Sequence, residues 1–305
     1  MGLALSSGGA KGLAHIGVIQ VLEENGIPVD VVVGCSMGAY VAAVWATGHN
    51  GVQMEKLARE IEGRWGWLPL IDPVFPPRAG FIRGEAVKKR LKKSVGDAEF
   101  GGLARPLRIV ATNLTTLERV VFSSGEVAAA VHASCAIPGL CVPVKIGTET
   151  YIDGGITDPL PVDVLREMGV DRILAVNTIP TPAYLGCCRE MEREQSELRP
   201  KRGWFLRAVN RHLNYFAHGN ILDNLLHAFY GAQMSVAEAA CRQAHLVLRP
   251  LACDASWHDF THPAKYIALG RRVAEEHLDE IKSLLRAPES SDEHTSSQLA
   301  MAAAA

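Results

Sequence analysis

Val29-Asp30-Val31-Val32-Val33-Gly34-Cys35-Ser36-Met37-Gly38-Ala39-Tyr40-Val41-Ala42-Ala43-Val44-Trp45-Ala46-Thr47-Gly48 decides how this chain is read. Val29 to Val33 is a β-branched run, which suits a buried strand. Ala39 to Thr47 is rich in alanine and closes on Gly48, a helix with its stop signal. Between them stands Gly34-x-Ser36-x-Gly38. On its own that pentapeptide is common. Set between a strand and a helix, it becomes a sharp turn that lifts a serine from the sheet edge to a helix N-terminus. There, backbone N–H groups and the helix dipole favour developing negative charge. Ser36 is therefore a candidate nucleophile, and Gly34 and Gly38 give the turn its room.

Upstream, Leu3-Ala4-Leu5 reads as a first strand that runs into Ser6-Ser7-Gly8-Gly9-Ala10-Lys11-Gly12. A helical period then follows through Leu13, Ile16, Ile19 and Leu22 and stops at Asn25-Gly26. Consecutive glycines let several backbone N–H groups face one point, as an oxyanion or a phosphate requires. A Walker A loop needs Ser or Thr after its lysine, and Gly12 stands there. A dinucleotide site needs an acid at the end of the second strand, where the Ser36 turn lies instead. Nucleotide binding is thus disfavoured, and an oxyanion hole serving Ser36 is favoured.

Downstream, Arg108 to Thr112, Val120 to Phe122, Cys141 to Lys145 and Ile173 to Asn177 read as further strands. Apolar strands alternating with helices predict a parallel sheet covered on both faces. Tyr151-Ile152-Asp153-Gly154-Gly155 places an acid at a strand end with no side chain on the next two residues. Asp-Gly-Gly is usually a plain turn; beside a nucleophile, such a carboxylate can act as its base. A Ser-Asp-His hydrolase also needs a histidine after the acid. His212, His218, His227, His245, His258, His262 and His277 follow, none in a glycine-rich loop after a strand.

The remaining composition sets limits. The chain has 305 residues, 31 lysines and arginines against 33 acids, and a formal charge of −2. No basic field exists to hold nucleic acid. Seven cysteines with no C-x-x-C give neither a disulfide framework nor a zinc pattern, and they suit a reducing compartment. H-E-x-x-H is absent, so no metal is expected. Met1-Gly2-Leu3-Ala4-Leu5-Ser6 fits the loose myristoylation pattern, but Gly2 to Leu5 reads better as strand. Lys11 follows the apolar stretch, unlike the cation of a secretory leader. Val31 to Gly48 is about long enough to span a bilayer, yet its glycines make it strand, turn and helix. No transmembrane span is expected.

With its three motifs in this order, the chain resembles the bacterial patatin-like phospholipases, whose pattern is a G-x-G-x-x-G loop, then G-x-S-x-G, then D-G-G or D-G-A. Ser7 stands where the first loop has its leading glycine, and that is the one departure. Ala133-Ser134-Cys135-Ala136-Ile137-Pro138-Gly139-Leu140 is also similar to the family's segment ahead of the aspartate. The resemblance implies a three-layer α/β/α sandwich around a parallel sheet, with an added helical C-terminal region. It implies a Ser36-Asp153 dyad without a catalytic histidine, and an oxyanion hole from the N–H groups of Gly8, Gly9, Ala10 and Lys11. Gly12, Gly154 and Gly155 complete the motif glycines. The implied activity is hydrolysis of lipid acyl esters through an acyl-enzyme, without a cofactor, in the cytoplasm or peripheral to a membrane. Two other functions fit the same residues: an esterase or thioesterase on small or protein-linked acyl groups, and a regulatory protein that keeps the fold. Oligomeric state is left open.

The expected division is a catalytic domain over 1–180, a charged linker over 181–202, a helical region with a late strand over 203–286 and a disordered tail over 287–305. Trp204 to Arg242 reads as helix, and Arg202, Arg207 and Arg211 give its first part, Trp204 to Phe216, an amphipathic character. Ala264 to Leu285 reads as one amphipathic helix. The aromatic and apolar stretch over 65–82, broken by Pro69, Pro73, Pro76 and Pro77, reads as packed core, as a lid or as a surface touching lipid.

Overall fold

Leu3 and Leu5 are buried in one apolar layer and Ala4 in another, the alternation of a strand covered on both faces. That strand is β1 (Gly2–Leu5) in a computed structural model of the chain, which describes residues 1–197 and 220–286. It pairs in parallel with β2 (Val31–Cys35) and with β7 (Ile173–Val176). β2 pairs in parallel with β3 (Leu107–Asn113), and β7 with β8 (Leu246–Leu248). The expected parallel sheet is thus its centre and one flank. The other flank is a correction: β4 (Arg119–Phe122) and β6 (Glu149–Asp153) each pair antiparallel with β3, and β5 (Val144–Ile146) pairs antiparallel with β6, so the sheet is mixed. Short turns join β3 to β4 and β5 to β6, and a short turn can only reverse direction.

One layer holds α1 (Ala14–Glu24), α2 (Met37–Ala46), α3 (Gly51–Arg59), α5 (Glu85–Val95) and α6 (Val127–Ser134). The short α4 (Arg64–Trp67) precedes α5 in an otherwise irregular stretch. The opposite layer holds α7 (Val162–Glu167) and the end of α9 (Ile221–Cys241). Of the charged segment expected over 181–202, the part described is the helix α8 (Pro182–Glu197). The expected last helix is two, α10 (Pro263–Glu276) and α11 (Leu278–Leu285). They part at His277, whose ring lies 2.9 Å from the Val273 carbonyl. α10 packs on α1 almost backbone to backbone, since a Cβ on Gly270 would meet the Ala14 carbonyl at 1.9 Å.

Cys188 and Cys253 form a disulfide across 65 residues, tying α8 to the loop before α10. The cysteine count did not anticipate it, because a single long-range bridge leaves no spacing pattern, and the case for a wholly reduced chain falls with it. No helix among the described residues is long and apolar enough to cross a membrane. Trp204 to Phe216 and the tail over 287–305 lie outside the described residues.

Candidate active site

β3 explains why Ser36 and Asp153 meet. Its residues Leu107 to Val110 pair with β2, its residues Ala111 to Asn113 with β6, and Ile109 to Thr112 with β4. A strand has two edges. β4 overlaps both other partners, so β2 and β6 must share the opposite edge, one after the other. The β2 ladder ends at Cys35 opposite Val110, and the β6 ladder ends at Asp153 opposite Ala111. Ser36 and Asp153 therefore leave the sheet at one gap, from opposite directions.

Ser36 sits there with φ 53° and ψ −120°, a conformation rare for a residue with a side chain. Such backbone costs on the order of 1–3 kcal/mol and persists only where its surroundings over-determine it. The surroundings are close. A Cβ on Gly34 would meet the Gly38 backbone at 2.5 Å, and one on Gly38 would meet the Leu5 carbonyl at 2.3 Å. The Ser36 N–H donates to Ser134 Oγ at 2.8 Å, and Ser134 Oγ–H donates to the Val110 carbonyl at 2.6 Å. Ser134 thus bridges the elbow to the strand that β2 is leaving. The sequence placed Ser134 in a recognisable segment but assigned it no role.

The Ser36 hydroxyl donates to Asp153 Oδ2 at 2.6 Å. Asp153 Oδ1 accepts the Gly155 N–H at 2.7 Å. Thr112 Oγ1 donates to the Asp153 carbonyl at 3.1 Å, and the Asp153 N–H donates to the carbonyl of Ala136 at 2.8 Å. The carboxyl is almost fully buried. Burial raises its pKa from 3.8 to about 6, against the pull of the two hydrogen bonds. His15 and His132 are engaged elsewhere. The His15 ring meets the Ser6 carbonyl at 2.9 Å, and burial lowers its pKa to about 4, so it is neutral near pH 7. His132 meets the Arg83 carbonyl at 3.2 Å.

The glycine loop turns into a short 3-10 helix, Gly9–Leu13, beside the elbow. Gly9 has φ 57°, which its missing Cβ allows. A Cβ on Gly8 would meet Thr178 Oγ1 at 2.1 Å. The loop is held from behind: Ser7 N–H donates to the Pro159 carbonyl at 2.8 Å, and Thr178 Oγ1 donates to the Ser7 carbonyl at 2.9 Å. Two of the expected oxyanion donors are corrected. The Ala10 N–H donates to the Trp257 carbonyl at 2.7 Å. The Lys11 N–H falls within the first i→i+3 turn, which directs it to Gly8. The Lys11 side chain is mostly buried, 5.5 Å from the centre of the Tyr230 ring, and burial lowers its pKa to about 8.

Above Ser36 opens an apolar cavity of about 1030 Å³. Tyr40, Val41 and Leu57 line one side, and Val74, Phe81 and Ile82 another. Tyr230 from α9 and Trp257 from the disulfide-tied loop also line it. α9 crowds the acid turn as well, for a Cβ on Gly155 would meet Gln233 Nε2 at 2.0 Å. Sequence reading missed these C-terminal contributions, since nothing in a helical pattern says which face meets a distant loop.

A family model described as patatin-like phospholipase matches residues 3–166, more than half of the chain. The chain belongs to the patatin-like phospholipase family. Relatives carry the same region. Lysophospholipase nte1 of Aspergillus fumigatus is 35% identical over 179 residues, 58% of this chain and 12% of that protein. An uncharacterized NTE family protein of Mycobacterium tuberculosis is 39% identical over 175 residues, 57% of this chain and 48% of that one. The chain thus matches less than half the length of either relative. Among solved structures, VipD from Legionella pneumophila superposes with a TM-score of 0.44 at 16% identity, covering 92% of this chain and 66% of that chain.

Proposed function

We propose that this patatin-like chain hydrolyses acyl esters of lipids with Ser36 as nucleophile and Asp153 as its general base. The observation that carries the reading is the 2.6 Å hydrogen bond between the two, at the floor of a large apolar cavity. As Ser36 Oγ attacks the ester carbonyl carbon, its proton passes to Asp153. The carbonyl oxygen takes up the negative charge, and the N–H groups of Gly8 and Gly9 receive it. Collapse of this intermediate expels the alcohol, which takes the proton from Asp153 and leaves an acyl-Ser36 ester. Water then attacks that ester, Asp153 accepting its proton and returning it to Ser36 Oγ as the fatty acid departs. Asp153 suits the work because burial brings its pKa towards neutrality, where a base can both take and return a proton.

The cavity favours long acyl chains, because apolar walls reward each methylene removed from water by about 0.8 kcal/mol. A fluorophosphonate probe should label Ser36 and nothing in Ser36→Ala. On p-nitrophenyl esters, kcat/KM should rise with chain length into the fatty-acyl range. Labelling that survives Ser36→Ala removes the nucleophile. A profile that peaks at acetate removes the lipid substrate and leaves a small-ester hydrolase.

A further inference from the structure

The sequence left the stretch over 65–82 between core, lid and lipid contact. It does not read as core. Of the ten large apolar side chains that are exposed among the described residues, three fall within eleven positions: Trp65 at 80%, Leu68 at 46% and Phe75 at 96%. Apolar surface in such density marks a contact site. The same stretch also supplies Ile71, Val74, Phe75 and Phe81 to the cavity wall, so the exposed Phe75 borders the space above Ser36.

Positive charge is concentrated in and just after this stretch of the sequence. Residues 64–93 hold eight lysines and arginines against two acids, in a chain whose net charge is −2. Some are used internally: Lys88 and Lys92 pair with Glu126, and Arg90 with Glu60. Arg78, Arg83, Lys89 and Lys93 are exposed and form no ion pair with another described residue. Lys89 and Lys93 are one turn apart on α5, opposite the buried Leu91.

We propose that residues 64–93 dock this chain on an anionic lipid surface, with Trp65 and Phe75 inserted at the interface and Arg78, Lys89 and Lys93 over the head groups. Exposed aromatic side chains and unpaired cations in one segment match the two parts of an interface, acyl boundary and anionic head group. Because the exposed Phe75 is itself part of the cavity wall, a lipid can move its chain into the cavity without crossing water. This rests on the hydrolase reading only for its purpose; the docking itself needs no catalysis.

The test therefore uses Ser36→Ala, which cannot consume the membrane. Its sedimentation with phosphatidylcholine vesicles is compared with that on vesicles that also contain phosphatidylglycerol. Binding should be stronger on the second by about tenfold or more, and should weaken as salt rises. Adding Arg78→Glu with Lys89→Glu should abolish the preference. Adding Trp65→Ser should weaken binding to both vesicles by about fivefold or more. In the active chain, Trp65→Ser should leave hydrolysis of a soluble short ester within about twofold, which also shows that it folds. Equal binding to both vesicle types, or unchanged binding by the charge-reversed variant, overturns the proposal, as does a preference for acidic protein or nucleic acid over vesicles. Vesicle binding by a chain that cleaves no ester would sink the hydrolase reading and leave the docking intact.

Discussion

The floor and the roof of the cavity follow different rules. At the floor, Ser36, Ser134 and Asp153 are each at most 6% exposed, and each has named hydrogen-bond partners. At the roof, Phe75 is largely in solvent, and α4, a few residues before it, is a single turn with Trp65 exposed. A floor that must hold a serine at φ 53° needs every neighbour fixed, and it draws them from β1, β2, β3, β6 and α6. A roof that only offers apolar area needs no fixed geometry. The difference implies that single atoms matter below and that summed surface matters above.

The largest effect should come from the floor. Asp153→Asn removes the proposed base while keeping the shape, so kcat should fall by about 10²–10⁴-fold, or further. If a histidine carried the proton, one of the histidine-to-alanine variants would fold normally and fail as completely. That result would break the dyad, and with it the account of why the floor is built as it is.

Ser134→Ala comes next, and it asks whether support of the elbow reaches the chemistry. It leaves the Ser36 N–H and the Val110 carbonyl without their shared partner, at a cost on the order of 1–3 kcal/mol. Fluorophosphonate labelling and kcat should drop by about 10–10²-fold while KM barely moves, because the cavity is untouched. A folded variant with unchanged kcat would show that the glycines alone hold Ser36.

The floor was also the part most legible in the sequence. The strand-Gly-x-Ser-x-Gly-helix order declared the elbow, although β2 begins at Val31 and not Val29, where exposed Asp30 intervenes. α2 begins at Met37 and not Ala39, because Gly38 fits under the Leu5 carbonyl within the first turn. Asp153 was legible as a strand-end acid, but not the handover on β3 that brings it to Ser36. That depends on which partner each half of β3 chooses, and those partners lie about 40 and 75 residues away. The roof was legible only as composition. Aromatic and proline residues look alike whether they end in a core or in solvent, and only packing decides.

Building the floor dry has a cost. Burial raises the Asp153 pKa from 3.8 to about 6. Below pH about 4 the folded and unfolded chains both carry this proton. Between about 4 and 6 the folded chain keeps a proton that the unfolded chain has released, so stability falls as pH rises through that window and levels off above it. A shift of about two units corresponds to at most about 3 kcal/mol, and relaxation of the amide replacement reduces what a variant recovers. Asp153→Asn should therefore unfold in urea like the parent near pH 4 and be about 1–2 kcal/mol more stable near pH 7. Asp158, whose pKa burial also raises to about 6 against the opposing charge of Arg119, contributes the same trend to both proteins and cancels in the difference. The parent's activity should rise across the same window in which its stability falls, since the carboxylate that weakens the fold is also the proposed base. A variant whose advantage is the same at both pH values would mean that Asp153 is charged at little cost, and that its pKa is set by something other than burial.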